Sequence, residues 1–148
     1  MHFVMLKHKL FTIGYEGKNI DEFIEILKKN EIKCLVDVRN NGFSFKKFFC
    51  RNLLKNLLEK SGIKFIAVPE VGAPKFLRDE LKKTDNINRF FRKYERHIRQ
   101  NGYLPHLKTH INSERVCLMC FERNAFACHR HILTDMLEEE MPIRAIHI

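Results

Sequence analysis

Short apolar runs alternate along the chain with longer stretches in which apolar residues recur every three or four positions. Phe11–Tyr15 (FTIGY) predicts a first strand, closed by Glu16-Gly17. Asn19 then caps a predicted helix through about Asn30, with Glu22 three residues on as a capping-box partner. Asp21 and Glu22 suit the positive end of that helix, and Ile20, Phe23, Ile24 and Leu27 form its apolar stripe. Ile32–Val38 (IKCLVDV) has the density of a strand covered on both faces. A Phe/Lys-rich loop (FSFKKFF) leads to a helix over about Arg51–Ser61, stopped by Gly62, and Ile63–Val68 is the third strand. A Gly/Pro loop, Glu70–Pro74, precedes a short helix, Lys75–Lys83, and a longer one opened by Asp85 or Asn86 and running to about Gln100. Arg115–Cys120 is a fourth strand, about Cys128–Glu139 a helix, and Ile143–Ile148 a fifth strand.

Strands separated by helices in this order predict an α/β fold, a single three-layer α/β/α domain with an open, mostly parallel sheet of about five strands. No linker, internal repeat or low-complexity segment divides the 148 residues, which form one domain with residues 1–10 as a loosely attached extension. At 45% hydrophobic and 30% charged residues, disorder and fibrous architectures are excluded, and no apolar run is long enough to span a bilayer. The opening MHFVMLKHKLF has no signal-peptide pattern, so the five cysteines are expected as free thiols in a cytoplasmic protein.

Lys+Arg 27 against Asp+Glu 18 gives a formal charge of +9, which points to an anionic partner without locating it. In open α/β sheets ligands bind beyond the carboxyl ends of the strands. The residues there are Tyr15, Asp37 with Arg39, Glu70, and Cys120 with Glu122. Asp37 and Arg39 share one face of their strand; they are either a structural pair or a site in which Arg39 grips an anion and Asp37 orients it or handles a proton. The segment Cys120–His131 runs strand, loop, helix start, and a helix N-terminus attracts anions and favours thiolate. Arg130 and His131 in that first turn make sense beside an anion. Cys120 or Cys128 is the candidate reactive thiol, with Glu122, Asp37 or His129 in proton transfer.

Metal ligation is not expected, because Cys117 and Cys120 lie at an odd offset on one strand and point to opposite faces. Cys34, Cys50 and Cys117 are expected in the core. On the long helix, Ile87, Phe90, Phe91, Tyr94 and Ile98 form a core stripe, whereas Arg89, Arg92, Lys93, Arg96 and Arg99 form a basic one. That stripe is either a solvated face or a track for a phosphate backbone, and the aromatic-lysine loop suits stacking on bases or folding over the crevice.

Thr12-Ile-Gly-Tyr15, Val36-Asp-Val-Arg39, Cys120-x-Glu122 and Cys128-His-Arg130 occur in that order over nearly the whole chain. Together they resemble Domain of Unknown Function family 488. The resemblance implies a shared site built from Asp37, Arg39, Cys120, Glu122, Cys128, His129 and Arg130, and implies no reaction. Members commonly carry Pro and further Arg residues after VDVR, where this chain reads NNGFSFKKFF, and Asn124-Ala125 replaces the usual Asp-Pro. Leu35–Arg39 is also similar to the DVR strand of rhodanese-type sulfurtransferases, although the loop after Cys120 lacks their glycines.

The leading expectation is a small thiol-dependent hydrolase or transferase with a crevice for an anionic small molecule or nucleotide, needing no cofactor. Arg39, Arg130, Tyr15 and Glu70 would bind that ligand. A non-catalytic nucleic-acid-binding module is the alternative, a rhodanese-like sulfurtransferase the third reading, and a buried polar network that only fixes the fold the fourth.

Overall fold

The computed structural model describes residues 7–111 and 115–148. Five strands, β1 (His8–Gly14), β2 (Cys34–Asp37), β3 (Lys64–Ala67), β4 (Val116–Cys120) and β5 (Ile143–His147), form one sheet in the order β3-β2-β4-β1-β5. Every pairing is parallel. Six α-helices are described: α1 (Ile20–Lys29), α2 (Arg51–Lys60), α3 (Lys75–Thr84), α4 (Ile87–Asn101), α5 (Leu104–His110) and α6 (His129–Glu140).

Strand alternation divides the core in two. Leu10, Val36, Leu118 and Cys120 face α3–α6, where Leu77, Phe90, Tyr94, Ile98, Leu107, Leu133 and Met136 are buried. Phe11, Ile13, Leu35, Cys117 and Met119 face α1 and α2, against Phe23, Leu27, Leu54 and Leu58. Each such side chain contributes about 1.5–3 kcal/mol by leaving water. The layering is the expected α/β/α arrangement, and Cys117 and Cys120 do lie on opposite faces of β4.

Helix ends follow local chemistry. The Asn19 side chain accepts from the Glu22 amide, capping α1 as expected. The Glu22 carboxylate accepts from the Asn19 side-chain amide and not from its backbone, so a side-chain pair replaces the reciprocal half of a capping box. Asn86, not Asp85, caps α4; Asp85 ends α3 in a left-handed conformation at φ 52. Three details depart from the sequence reading. Strand β1 begins at His8 and pairs with β5 from that residue, so His8–Leu10 belong to the sheet and not to an extension. Residues 1–6 lie outside the described part. Helix α5 was not expected, because Leu104 and Leu107 are too few apolar positions to declare a helical period, although Pro105 suits its first turn. Cys50 is only half-buried, with its Sγ 3.1 Å from the Ser44 carbonyl, whereas Cys34 and Cys117 are core residues as expected.

The connections fix where a ligand can sit. Strands β1 and β2 send the chain onto the α1/α2 face, and β4 sends it onto the α6 face. Because β4 lies between β2 and β1, the loops leaving its carboxyl end and its neighbours' diverge. Cys120 is the last residue of β4, at the head of that divergence.

Candidate functional site

A cleft of about 540 Å³ opens at this point. Tyr15 and Arg39 form one side, Cys120, Glu122 and His129 the other, and Phe43–Lys46 the front; Arg78, Leu81 and Phe90 close the wall from α3 and α4. The volume is that of an ordinary small-molecule site.

Asp37 is completely buried, and its carboxylate is fully engaged. Oδ1 accepts from the Arg39 backbone amide at 3.0 Å and from Arg39 Nε at 2.8 Å; Oδ2 accepts from Arg39 Nη2 at 2.8 Å and Arg51 Nε at 3.1 Å. Arg39 Nη1 donates to the Phe49 carbonyl at 2.7 Å and toward the Tyr15 hydroxyl at 3.4 Å. Burial alone would lower the Arg39 pKa, but the hydrogen bond and charge of Asp37 win and raise it. Arg39 lines the cleft with its guanidinium turned inward, whereas Asp37, expected beside a ligand, is completely buried and does not line it. Tyr15 stacks on Phe49 with ring centroids 4.6 Å apart, anchoring the end of the Phe/Lys loop in the core. The other loop aromatics do not fold down: Phe43 and Phe48 are exposed, and Phe45 is 98% exposed.

On the α6 side, Cys120 Sγ and Cys128 Sγ are 2.7 Å apart. Cys128 is the N-cap of α6, and its sulfur accepts from the Arg130 amide at 3.4 Å. The Arg130 side chain is only 1% exposed and runs back beneath the strand ends. Its Nη1 donates to Cys120 Sγ at 2.9 Å and to the Glu122 carbonyl at 2.6 Å, its Nη2 to the Arg123 carbonyl at 3.3 Å, and its Nε to Thr12 Oγ1 at 3.1 Å. No carboxylate among the described residues pairs with this guanidinium. Cys120 borders the cleft but is fully buried, and Cys128 and Arg130, equally buried, are not among the lining residues.

Burial, the hydrogen bond and charge of Cys120, and the Glu122 charge push the Cys128 thiol well above the usual thiol range, so Cys128 stays a thiol. His129 Nε2 faces the Val38 carbonyl at 3.4 Å, which places the ring proton there and leaves the Nδ1 lone pair 3.6 Å from Cys128 Sγ. Burial lowers the His129 pKa to about 4, below the usual imidazole value of 6.5. Between these values the unfolded chain binds a proton that the native one refuses, so stability is full above pH 6.5 and falls as the pH drops toward 4. The expected loss over that interval is about 3 kcal/mol. The urea midpoint should therefore decrease between pH 7.5 and 5 and decrease less in His129→Gln, whose amide still reaches the Val38 carbonyl; parallel curves for the two proteins would refute this.

Cys120 Sγ, Cys128 Sγ and a Glu122 oxygen lie within 4.8 Å of one another, a donor set that suits a soft divalent metal, with His129 Nδ1 beside it. Of the remaining expected residues, Glu70 turns to His106 on α5 and does not line the cleft. On the basic helix, Arg89 and Lys93 pair with Glu80, and Arg99 with Glu95 and Glu139, leaving Arg92 and Arg96 as exposed cations without a carboxylate partner among the described residues. Three side chains that the sequence reading passed over matter here. Arg51 completes the Asp37 cluster. Arg78 is exposed in the cleft wall, anchored by Nε to the Ala73 carbonyl at 3.1 Å, with no carboxylate partner among the described residues. Lys18 has its pKa lowered by burial first and then by the charges of Arg123, Arg130 and Lys46, the mark of a concentrated positive field at the end of β1. Helix periodicity alone gives no signal that Arg78 points into a cleft.

A parallel α/β/α domain with a thiol and an uncompensated buried guanidinium at its sheet switch defines the class. The chain belongs to the family described as Domain of unknown function DUF488, whose family model matches residues 19–137. No curated protein and no solved structure matches the chain. No helix among the described residues is long and apolar enough to cross a membrane.

Proposed function

We propose that this protein is a small thiol-dependent enzyme that binds an anionic, nucleotide-sized ligand in the cleft and uses Cys120 as its nucleophile. The observation that carries this reading is Cys120, a fully buried residue at the cleft lining whose sulfur is touched by a buried arginine without a carboxylate partner among the described residues. Burying a guanidinium unpaired is expensive, and the contact with the Cys120 sulfur is the one soft, polarisable acceptor among its partners. Arg78 and Lys46 supply charge for the anion, and Phe43, Phe45, Phe90 and Phe121 supply aromatic faces for a flat group. Arg39, fully engaged with Asp37, shapes the cleft side instead of gripping the ligand. Glu122 stands beside the thiol as the proton carrier.

Alkylation of the native chain, mapped by mass spectrometry, tests this. Cys120 should react ahead of Cys34 and Cys117, faster with iodoacetate than with iodoacetamide when each is scaled to a free thiol. Arg78→Ala should diminish the preference, and pyrophosphate should protect Cys120. Labelling confined to half-buried Cys50, with Cys120 silent until unfolding, would overturn the reading.

A further inference from the structure

Cys128 has no part in the chemistry above, yet its sulfur is 2.7 Å from that of Cys120, and of the two buried residues only Cys120 borders the cleft. Two unbonded sulfurs normally keep a wider separation than this, and a disulfide needs only a small further approach. The residue that must move is also the easier one to move. Cys128 lies outside the helical turns, at the N-cap, with extended backbone angles of φ −126 and ψ 148. The pair is chemically unequal: Cys120 touches the Arg130 guanidinium, whereas Cys128 faces the lone pair of His129 Nδ1.

We infer that Cys120 and Cys128 are a redox pair, in which a hydroperoxide entering the cleft oxidises Cys120 and Cys128 resolves it to an internal disulfide. This rests on the reading of Cys120 as the cleft-facing nucleophile. The Cys120 thiolate attacks one peroxide oxygen; an S–O bond forms, the O–O bond breaks, and the leaving hydroxide or alkoxide takes a proton. The sulfur has then lost two electrons to the peroxide and stands as a sulfenic acid. The Cys128 sulfur next attacks it, passing its proton toward His129 Nδ1. An S–S bond forms, the S–O bond breaks, and the departing hydroxide leaves as water with that proton. The sum is two thiols and one hydroperoxide giving one disulfide, one water and one further water or alcohol. Cys34 and Cys117 take no part. Cys117 faces α1 and α2, and burial pushes its thiol far above the usual range.

The test is peptide mapping of the full chain after treatment with hydrogen peroxide, without reduction. Trypsin cuts after Arg123, which puts Cys120 and Cys128 on separate peptides, and fragment ions separate Cys120 from Cys117. The expected product is a 120–128 cross-link that dithiothreitol reverses. In Cys128→Ser the cross-link is lost and dimedone traps a sulfenic acid on Cys120; Cys120→Ser gives neither, and Cys34→Ser behaves like the parent. Should Cys128→Ser fail to fold, Cys128→Ala and the parent chain alone still decide. Ready alkylation of Cys120 with no cross-link under peroxide would leave the proposed function standing and overturn the redox pair. One zinc per chain in native mass spectrometry, lost from Cys128→Ser, would also overturn it, because the two sulfurs would then be ligands. Failure of both alkylation and cross-linking would remove both proposals.

Discussion

Asp37→Ala is expected to lose about 3–5 kcal/mol of folding stability, enough to unfold a marginally stable domain of this size at ordinary temperature. The carboxylate accepts four hydrogen bonds and is the ion-pair partner of two guanidinium groups, one of them on a buried side chain. Without it Arg51, about a quarter exposed, can swing into water, but Arg39 is held by the Phe49 carbonyl and enclosed by Tyr15. The cost is therefore that of an uncompensated buried charge. Urea denaturation should show a large fall in midpoint for Asp37→Ala and a clearly smaller one for Arg51→Ala. Equal losses in the two variants would mean that Arg39 does not depend on Asp37. Asp37→Ala should also loosen the Phe49 anchor and slow ligand-dependent protection of Cys120, since Tyr15 and Phe49 set that side of the cleft.

Gly14→Ala should be comparably damaging for a different reason. Gly14 pairs with Cys120 in the sheet, and a methyl group there would lie 1.7 Å from the Glu122 carbonyl oxygen and 2.8 Å from Arg130 Nη1. The first of these is backbone and cannot rotate away. The loop after Cys120 would have to move, and with it the 2.6 Å hydrogen bond that fixes Arg130 beside the sulfur. A loss of about 3 kcal/mol is expected, at the upper end of ordinary overpacking, with a marked drop in the alkylation rate of Cys120. Gly17→Ala is the comparison: its Cβ meets nothing within 4 Å, and only its φ of 77 penalises a side chain, by about 1 kcal/mol. If Gly14→Ala matched Gly17→Ala in stability and in thiol reactivity, the close packing of Gly14 would have no consequence.

The layered fold was legible because its signals are local. The dense run from Ile32 to Val38, bounded by turn residues, has the character of a covered strand, and Asn19 caps α1 where its place before the apolar stripe predicts. The convergence of Tyr15, Arg39, Cys120, Glu122 and His129 on one cleft was legible too, since strand ends in a parallel sheet share an edge. What periodicity could not supply is direction. It places Arg39 at the edge but does not say that four atoms of Asp37, Tyr15 and Phe49 turn its guanidinium inward. It brings Arg130 to a helix N-terminus without showing that the side chain doubles back under β1 to reach Thr12. Arg51 and Arg78 looked like ordinary helix-surface charges, because their roles depend on loops whose paths are set by tertiary contacts. Glu70 illustrates the converse: its position at the end of β3 was right, and α5, invisible in the pattern, claimed its carboxylate through His106.

The front of the cleft has a further significance. Phe45 stands almost wholly in solvent, with only the edge of Phe43 against its ring, while the rear is built from buried residues on which the sheet depends. Residues that bury nothing contribute little to folding, so the front wall is free to vary. Under the proposed function, a lineage could exchange Phe43 and Phe45 for other side chains, and so exchange one ligand for another, while Asp37, Gly14 and Arg130 kept the same frame upright behind them. On the proposed reading, ligand choice and fold maintenance are thus carried by opposite walls of one opening.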